Sequence, residues 1–261
     1  MRARFFQLDA FATRRFTGNP AAIMLLDAWF DEAQLQLVAA ENNLSETAFL
    51  VPRGADFEIR WFTPTVEVPL CGHATLASAA VVLERLDPGR PSVRFYSKSG
   101  PLTVRREGSG FAMDFPARSI TPCDAPTALA TALRARPVET LWDGGNFLVR
   151  LTDAAGVREL APDIAAIAAL PAGGVIVTAA GDSGFDCVSR YFAPAKGLDE
   201  DPVTGGAHCG LAPYWAERLG KSEIRAWQAS ARGGELLCRM LGDRVELVGG
   251  CIFYLEGEAT W

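Results

Sequence analysis

The sequence predicts an α+β fold made of two pseudo-symmetric lobes. Each is a curved, mostly antiparallel sheet rolled around one buried helix, with a site between the lobes. Three observations carry this reading. First, a long pattern occurs twice. Arg60-Trp61-Phe62-Thr63-Pro64, then Cys71-Gly72-His73-Ala74-Thr75 and an uncharged run ending Glu84-Arg85-Leu86, is matched by Arg190-Tyr191-Phe192-Ala193-Pro194, Thr204-Gly205-Gly206-Ala207-His208 and a run ending Glu217-Arg218-Leu219. The opening blocks lie 130 residues apart and the closing blocks 133, so the second copy carries a three-residue insertion. A strand, glycine turn and helix repeated at that spacing mark two similar lobes. Second, residues 73–83 and 205–216 hold no charged side chain beyond one histidine each. A helix that is apolar all round is buried all round, and neither run is long enough to span a membrane. Third, nearly everything else reads as short strands, so each helix is wrapped by a sheet.

Taken in order, 2–10, 21–26, 47–51 and 57–62 carry strand-forming residues between turn signals, and 31–41 reads as a helix with Leu35, Val38 and Ala39 on one face. Strands follow at 92–97, 102–106 and 111–115, the last two joined by Glu107-Gly108-Ser109-Gly110 as a hairpin turn. Pro116, Pro122 and Pro126 break the pattern, which sets the lobes at 1–117 and 118–261. The second half offers strands at 147–151, 174–178, 186–192, 223–228, 235–240, 244–248 and 252–256. Whether the last returns to the first lobe is left open. Pro213, inside the second apolar run, removes a helical hydrogen bond and predicts a kink.

Composition narrows the function. The chain has 261 residues, 49% of them hydrophobic and 21% charged, with net charge −6, which describes an ordinary globular protein. A nucleic-acid footprint would be basic and clustered, so no nucleic-acid partner is expected. No membrane partner is expected either, and Met1-Arg2-Ala3-Arg4 leads into a strand rather than a secretory leader, so a cytoplasmic location is expected. The six cysteines form no C-x-x-C pair and the only histidines are His73 and His208, so reduced thiols and no metal are expected.

Candidate chemistry gathers at the two glycine turns. If the lobes face each other, both helix N-termini offer unpaired N–H groups to an anion. Gly72, Gly205 and Gly206 leave those amides uncovered. Glu46, between a helix end and an apolar strand and walled by Leu44 and Phe49, is placed to be desolvated and serve as a general acid/base; a solvated loop glutamate is the plain alternative. Asp201 and Thr204 precede the second helix, where capping is the structural alternative. His73 stands at the first helix start, where a neutral imidazole can donate to a substrate or relay a proton; a hydrogen-bonded structural histidine is the equal alternative. Asn19, in Gly18-Asn19-Pro20, is a turn residue or a polar substrate contact.

Four motifs in register, Phe16-Thr17-Gly18-Asn19-Pro20, Asn43-Leu44-Ser45-Glu46-Thr47, Cys71-Gly72-His73-Ala74-Thr75-Leu76 and Glu200-Asp201-Pro202-Val203-Thr204-Gly205, resemble the PhzF-like family of phenazine-biosynthesis proteins. The resemblance spans nearly the whole chain. It implies the diaminopimelate-epimerase-like fold and an isomerase that uses no metal or organic cofactor. It further implies that Glu46 is the acid/base of a proton shift, with His73 and Asp201 assisting. Gly72 and Gly205 would hold a small carboxylic-acid substrate, with Asn19, Thr204 and Gly206 as further contacts, in a possible homodimer. Two departures stand out: the family usually has serine where Gly206 stands, and metal-free racemases of this fold use a cysteine at each helix start, whereas only Cys71 is present here. Epimerisation of an amino or hydroxy acid through Cys71 is therefore the second expectation. A non-catalytic binder of a small acid or protein is the third.

Overall fold

The computed structural model describes residues 2–261. Along the chain run β1 (Arg2–Ala10), β2 (Asn19–Leu25), α1 (Glu32–Asn42), β3 (Glu46–Arg53), β4 (Asp56–Phe62), β5 (Glu67–Val68), α2 (Gly72–Val81), β6 (Ser92–Ser97), β7 (Gly100–Glu107) and β8 (Gly110–Pro116). Then come β9 (Thr121–Pro122), α3 (Thr127–Leu133), β10 (Glu139–Trp142), β11 (Phe147–Arg150), α4 (Ala154–Arg158), α5 (Ile164–Ala168), β12 (Val175–Ala180), β13 (Cys187–Ala193) and β14 (Leu198–Asp201). The chain closes with α6 (Gly205–Leu219), β15 (Glu223–Gln228), β16 (Gly234–Leu241), β17 (Arg244–Gly249) and β18 (Cys251–Thr260). Two compact units emerge, one ending at Asp114 but regaining Val248–Trp261, the other Phe115–Leu247. The second unit thus ends before the last strand, the alternative left open for 118–261. The reason is β18, which pairs antiparallel along the whole of β1, from Arg2 against Thr260 to Ala10 against Cys251.

In the first unit, β1–β2 is antiparallel, β2–β3 parallel, β3–β4 and β4–β5 antiparallel, β4–β6 parallel and β6–β7 antiparallel. The second unit repeats this sequence of pairings with β10–β11, β11–β12, β12–β13, β13–β14, β13–β15 and β15–β16. Side chains repeat with it. Arg60 forks onto Glu67 (Nε–Oε1 2.8 Å, Nη2–Oε2 2.7 Å), and Arg190 forks onto Glu200 (2.7 and 2.9 Å). The arginine offset is 130 and the glutamate offset 133, so the insertion lies between them. It is taken up by the 3-10 turn Pro194–Lys196 and by a register shift between Tyr191 and Ala193.

Every α2 residue from His73 to Val81 is buried, and the helix packs on β1, β2, β3, β6, β7 and β18. The uncharged run dictated this, because a helix with no polar face has no side to give to water. It continues past Val81 as one π-helical turn, Val82–Leu86. In α6 the helix runs through Pro213. The Cys209 carbonyl, which a residue at 213 with an N–H would have satisfied, instead accepts the Arg118 backbone N–H at 2.9 Å. Helices α3, α4 and α5, which the sequence reading missed, pack Leu129, Leu133, Val157 and Ile167 into a second-unit core with Val177 and Phe192. They are only five to seven residues long, too short for periodicity to stand out. All six cysteines are free thiols.

All-round burial of α2 has a direct test. Ala77 and Ala79 both have no exposure and, two positions apart, lie on opposite sides of the helix. Ala77→Leu and Ala79→Leu should each lower unfolding free energy in urea by about 1–3 kcal/mol through overpacking. A neutral result for either would mean that one side of α2 is open.

Candidate active site

In the first unit, the parallel register setting Ala21 against Glu46 brings the starts of β2 and β3 to one end of the sheet. Asn19 opens β2 and Glu46 opens β3. Helix α2 lies against both strands and brings His73, its second residue, to the same place. The imidazole Nε2 is 3.1 Å from Glu46 Oε2, with the two side chains only 6% and 17% exposed. Asn19 is fully buried and its side-chain Nδ2 lies 3.3 Å from His73 Nδ1, while Cys71 Sγ is 3.5 Å from that same nitrogen. The sequence thus hid a cluster whose members stand at 19, 46, 71 and 73.

Gly18 makes the Asn19 position possible. Its φ is +76°, and a Cβ there would collide with the Ala10 carbonyl oxygen, so only glycine fits. Cys71 is the N-cap of α2 in extended backbone (φ −139°, ψ 111°) and Gly72 is the first helical residue. The Cys71 carbonyl accepts both the backbone N–H and the hydroxyl of Thr75, at 3.2 and 2.6 Å.

The electrostatics correct one expectation. His73 was expected neutral, yet its proton affinity is raised well above the ordinary histidine value: burial opposes the charge, but Cys71 and Glu46 outweigh it. Burial, with the charge of Glu46 next, pushes the Cys71 thiol up. Cys71 therefore keeps its proton, and Glu46 is the partner that matters for the imidazolium at neutral pH. The Nε2–Oε2 contact is close but not well aligned for an N–H···O bond, since neither atom finds a directed partner. An Asn19 amide presenting its NH₂ to Nδ1 suits the singly protonated ring; turned over, its oxygen suits the imidazolium.

Cys71, His73 and Glu46 also place a sulfur, a nitrogen and a carboxylate oxygen within 4.8 Å of one another, the one such set among the described residues. Those atoms suit a soft divalent ion. Binding would require both Cys71 and His73 to surrender protons that the site holds more tightly than usual, which opposes it at neutral pH.

The second unit builds a different helix start on the same frame. Thr204 is the N-cap of α6, 133 residues beyond Cys71 and in similar backbone (φ −113°, ψ 94°). Its hydroxyl donates to Asp201 Oδ2 at 2.6 Å and accepts from Gln228 Nε2 at 3.1 Å. Gln228, buried and unnoticed in the sequence, also accepts the Thr204 N–H at 2.8 Å and donates to the Asp201 carbonyl at 2.7 Å. Asp201 faces Tyr191 in β13, as Val68 faces Trp61 in β4. At offset 133, Gly205 and Gly206 match Gly72 and His73, so the second start carries no imidazole at its second position. His208 replaces Thr75, and its Nδ1 donates to the Thr204 carbonyl at 2.8 Å, as the Thr75 hydroxyl does to Cys71. Wholly buried, His208 is depressed to about 4, because burial disfavours its charge. The two histidines are thus opposites.

The family described as phenazine biosynthesis-like protein matches residues 8–257. A Pseudomonas aeruginosa protein named as an uncharacterized isomerase is 51% identical over 98% of both chains. Mouse phenazine biosynthesis-like domain-containing protein 2 is 41% identical over the full length of both. A crystal structure of a phenazine biosynthesis protein of the PhzF family from Enterococcus faecalis superposes with a TM-score of 0.96, at 41% identity over all of both chains.

His208 gives the fold a specific acid sensitivity. Its folded value, about 4, lies below the ordinary 6.5, so on acidification the unfolded chain takes up the proton first. Its contribution is intact above pH 6.5 and is lost as pH falls towards about 4, amounting to about 3 kcal/mol. Urea unfolding of wild type and His208→Gln across this range should show that extra loss in wild type alone. Parallel pH profiles would contradict a neutral buried imidazole.

Proposed function

The chain belongs to the phenazine biosynthesis-like family, and from that premise we propose that it is an isomerase in which Glu46 moves a proton on a small carboxylate-bearing substrate. The observation that carries the reading is the Glu46–His73 contact of 3.1 Å in a nearly dry setting. Glu46 Oε2 faces the imidazole and finds no directed hydrogen bond in the protein, which leaves the carboxylate available to meet a substrate carbon. Such a carboxylate takes a proton from a carbon acidified by a neighbouring carbonyl or double bond, and returns it to another carbon of the same skeleton. Nothing is oxidised and no group is lost; one C–H bond breaks and another forms. His73 beside the carboxylate holds its orientation and balances its charge before transfer. The names of relatives as isomerases agree with this class of reaction.

Binding roles follow from the local chemistry. Gly72 exposes the first amides of α2, where a helix start favours negative charge on a substrate and on the developing enolate-like intermediate. Asn19 fixes the far side of the imidazole. In the second unit, Asp201 is assigned an assisting polar role and Thr204, Gly205 and Gly206 substrate contacts, on the family resemblance and the free amides at the start of α6.

Epimerisation through Cys71 is the second reading, favoured by the 3.5 Å contact of its sulfur with His73 Nδ1. It fits less well: burial and Glu46 keep the thiol protonated, and the equivalent N-cap, Thr204, offers no second thiol.

Glu46→Gln should lower turnover by about 10²–10⁴-fold and abolish uptake of solvent deuterium into any substrate found by screening small carboxylic acids. Cys71→Ser should leave both measurably intact. Full activity in Glu46→Gln would remove the carboxylate from the chemistry. Loss of exchange in Cys71→Ser alone would move the reaction to the thiol.

A further inference from the structure

A cavity of about 560 Å³ opens in the second unit, and no residue of the Glu46 cluster is among those lining it. Its wall includes Arg118, Ser119, Asn146 and Lys196, with the glycines at 144 and 145 keeping it open. Asp143 anchors it. That side chain is completely buried, and its oxygens accept from the backbone N–H groups of Gly145 (3.0 Å) and Asn146 (2.6 Å), from Asn146 Nδ2 (3.1 and 2.9 Å) and from Arg118 Nη1 (3.0 Å). The acid is fully engaged by the protein. The cations are not. Arg118 uses only Nη1, leaving Nε and Nη2 as a free planar edge. Lys196 donates to the Tyr191 hydroxyl at 2.9 Å, and Tyr191 passes the bond on to Asn146 Oδ1 at 3.0 Å; among the described residues no carboxylate contacts the ammonium. Burial, with Arg118 next, lowers the proton affinity of Lys196, as expected of a cation short of counter-charge.

Both cations are placed by the fold. The backbone N–H of Arg118 fills the carbonyl left open by Pro213, pinning the segment to α6, and Gly210 allows Ile120 to pack there, where a Cβ would crowd its side chain. The Lys196 stem lies over Gly173, where any Cβ would press on it. Arg118 Nη2 also sits 3.7 Å from where a Cβ of residue 206 would be. A serine there would stand against the guanidinium; glycine leaves its edge clear.

We propose that this cavity is a binding site for the carboxylate of a small organic acid, gripped by the free edge of Arg118 and by the Lys196 ammonium. A guanidinium fork matches a planar carboxylate. The charge balance weighs against a dianion: Arg118 and Lys196 face Asp143 in contact and Asp201 within electrostatic reach, so no net positive charge remains to hold a phosphate dianion, and a monoanion is held by the guanidinium fork and ammonium directly. The site stands on second-unit residues alone, so it holds or fails independently of Glu46.

Calorimetry at low salt and pH 7 on the full chain, with benzoate, benzamide and inorganic phosphate as probes, tests this. Benzoate should bind, benzamide and phosphate should bind more weakly, and added salt should weaken benzoate. Arg118→Gln and Lys196→Met should each weaken benzoate about ten- to a hundredfold, with melting temperatures showing retained fold, while Glu46→Gln keeps wild-type affinity. If Arg118→Gln does not fold, Lys196→Met decides alone. No benzoate binding by wild type, unchanged affinity in the folded variants, a preference for phosphate, or an equal loss in Glu46→Gln would each overturn the assignment.

Discussion

A helix without a polar face must be covered on every side, and that constraint organises each half of this protein. In α2, side chains from His73 to Val81 are all out of water, so the surrounding strands have to curve about the helix rather than lie flat beneath it. With its flanks occupied, such a helix can offer chemistry only at its ends. The N-terminal end is the useful one, because its first amides have no partners within the helix. The same apolar pattern that drives folding therefore places a polar, amide-rich tip beside the strand starts that carry Asn19 and Glu46.

The two units share one frame and differ in the side chains set on it. The two Arg–Glu forks, Arg60–Glu67 and Arg190–Glu200, tie equivalent strands in the same way, and Arg60 and Arg190 lie 5.1 and 4.9 Å over the equivalent rings of Phe62 and Phe192. Beyond that scaffold the copies part. Val68, Cys71, His73 and Thr75 in one become Asp201, Thr204, Gly206 and His208 in the other. One helix start holds a thiol, an imidazole raised in proton affinity and a carboxylate. The other holds a hydroxyl–carboxylate–amide lattice through Gln228 and a histidine kept neutral. Closely set titratable groups mark the first; a hydrogen-bonded lattice and cationic residues mark the second.

Much of this was legible in the chain. The repeat, the two apolar helices and most strands followed from pattern, and the motif resemblance pointed to the family. What stayed hidden involves pairings between distant positions. Asn19 meets His73 across 54 residues and Gln228 meets Thr204 across 24, and neither glutamine nor asparagine carries a sequence signal for burial. The return of β18 to β1 was undecidable because strand order is a tertiary choice. The charge of His73 was misjudged because the neighbouring carboxylate is 27 residues away in sequence and 3.1 Å away in space. Arg118 carries no signal in the sequence, because the carbonyl its backbone fills is left open by Pro213, far along the chain.

The central claim is that Glu46 and His73 form one coupled proton-holding pair. Nitrogen-15 NMR of the His73 ring across pH, in wild type and in Glu46→Gln, addresses it without any substrate. The account predicts that the imidazole titrates well above the ordinary histidine value in wild type and falls once the carboxylate is neutralised, since burial is then opposed by Cys71 alone. An identical His73 titration in both proteins would show that the two groups do not act together, and would contradict the account.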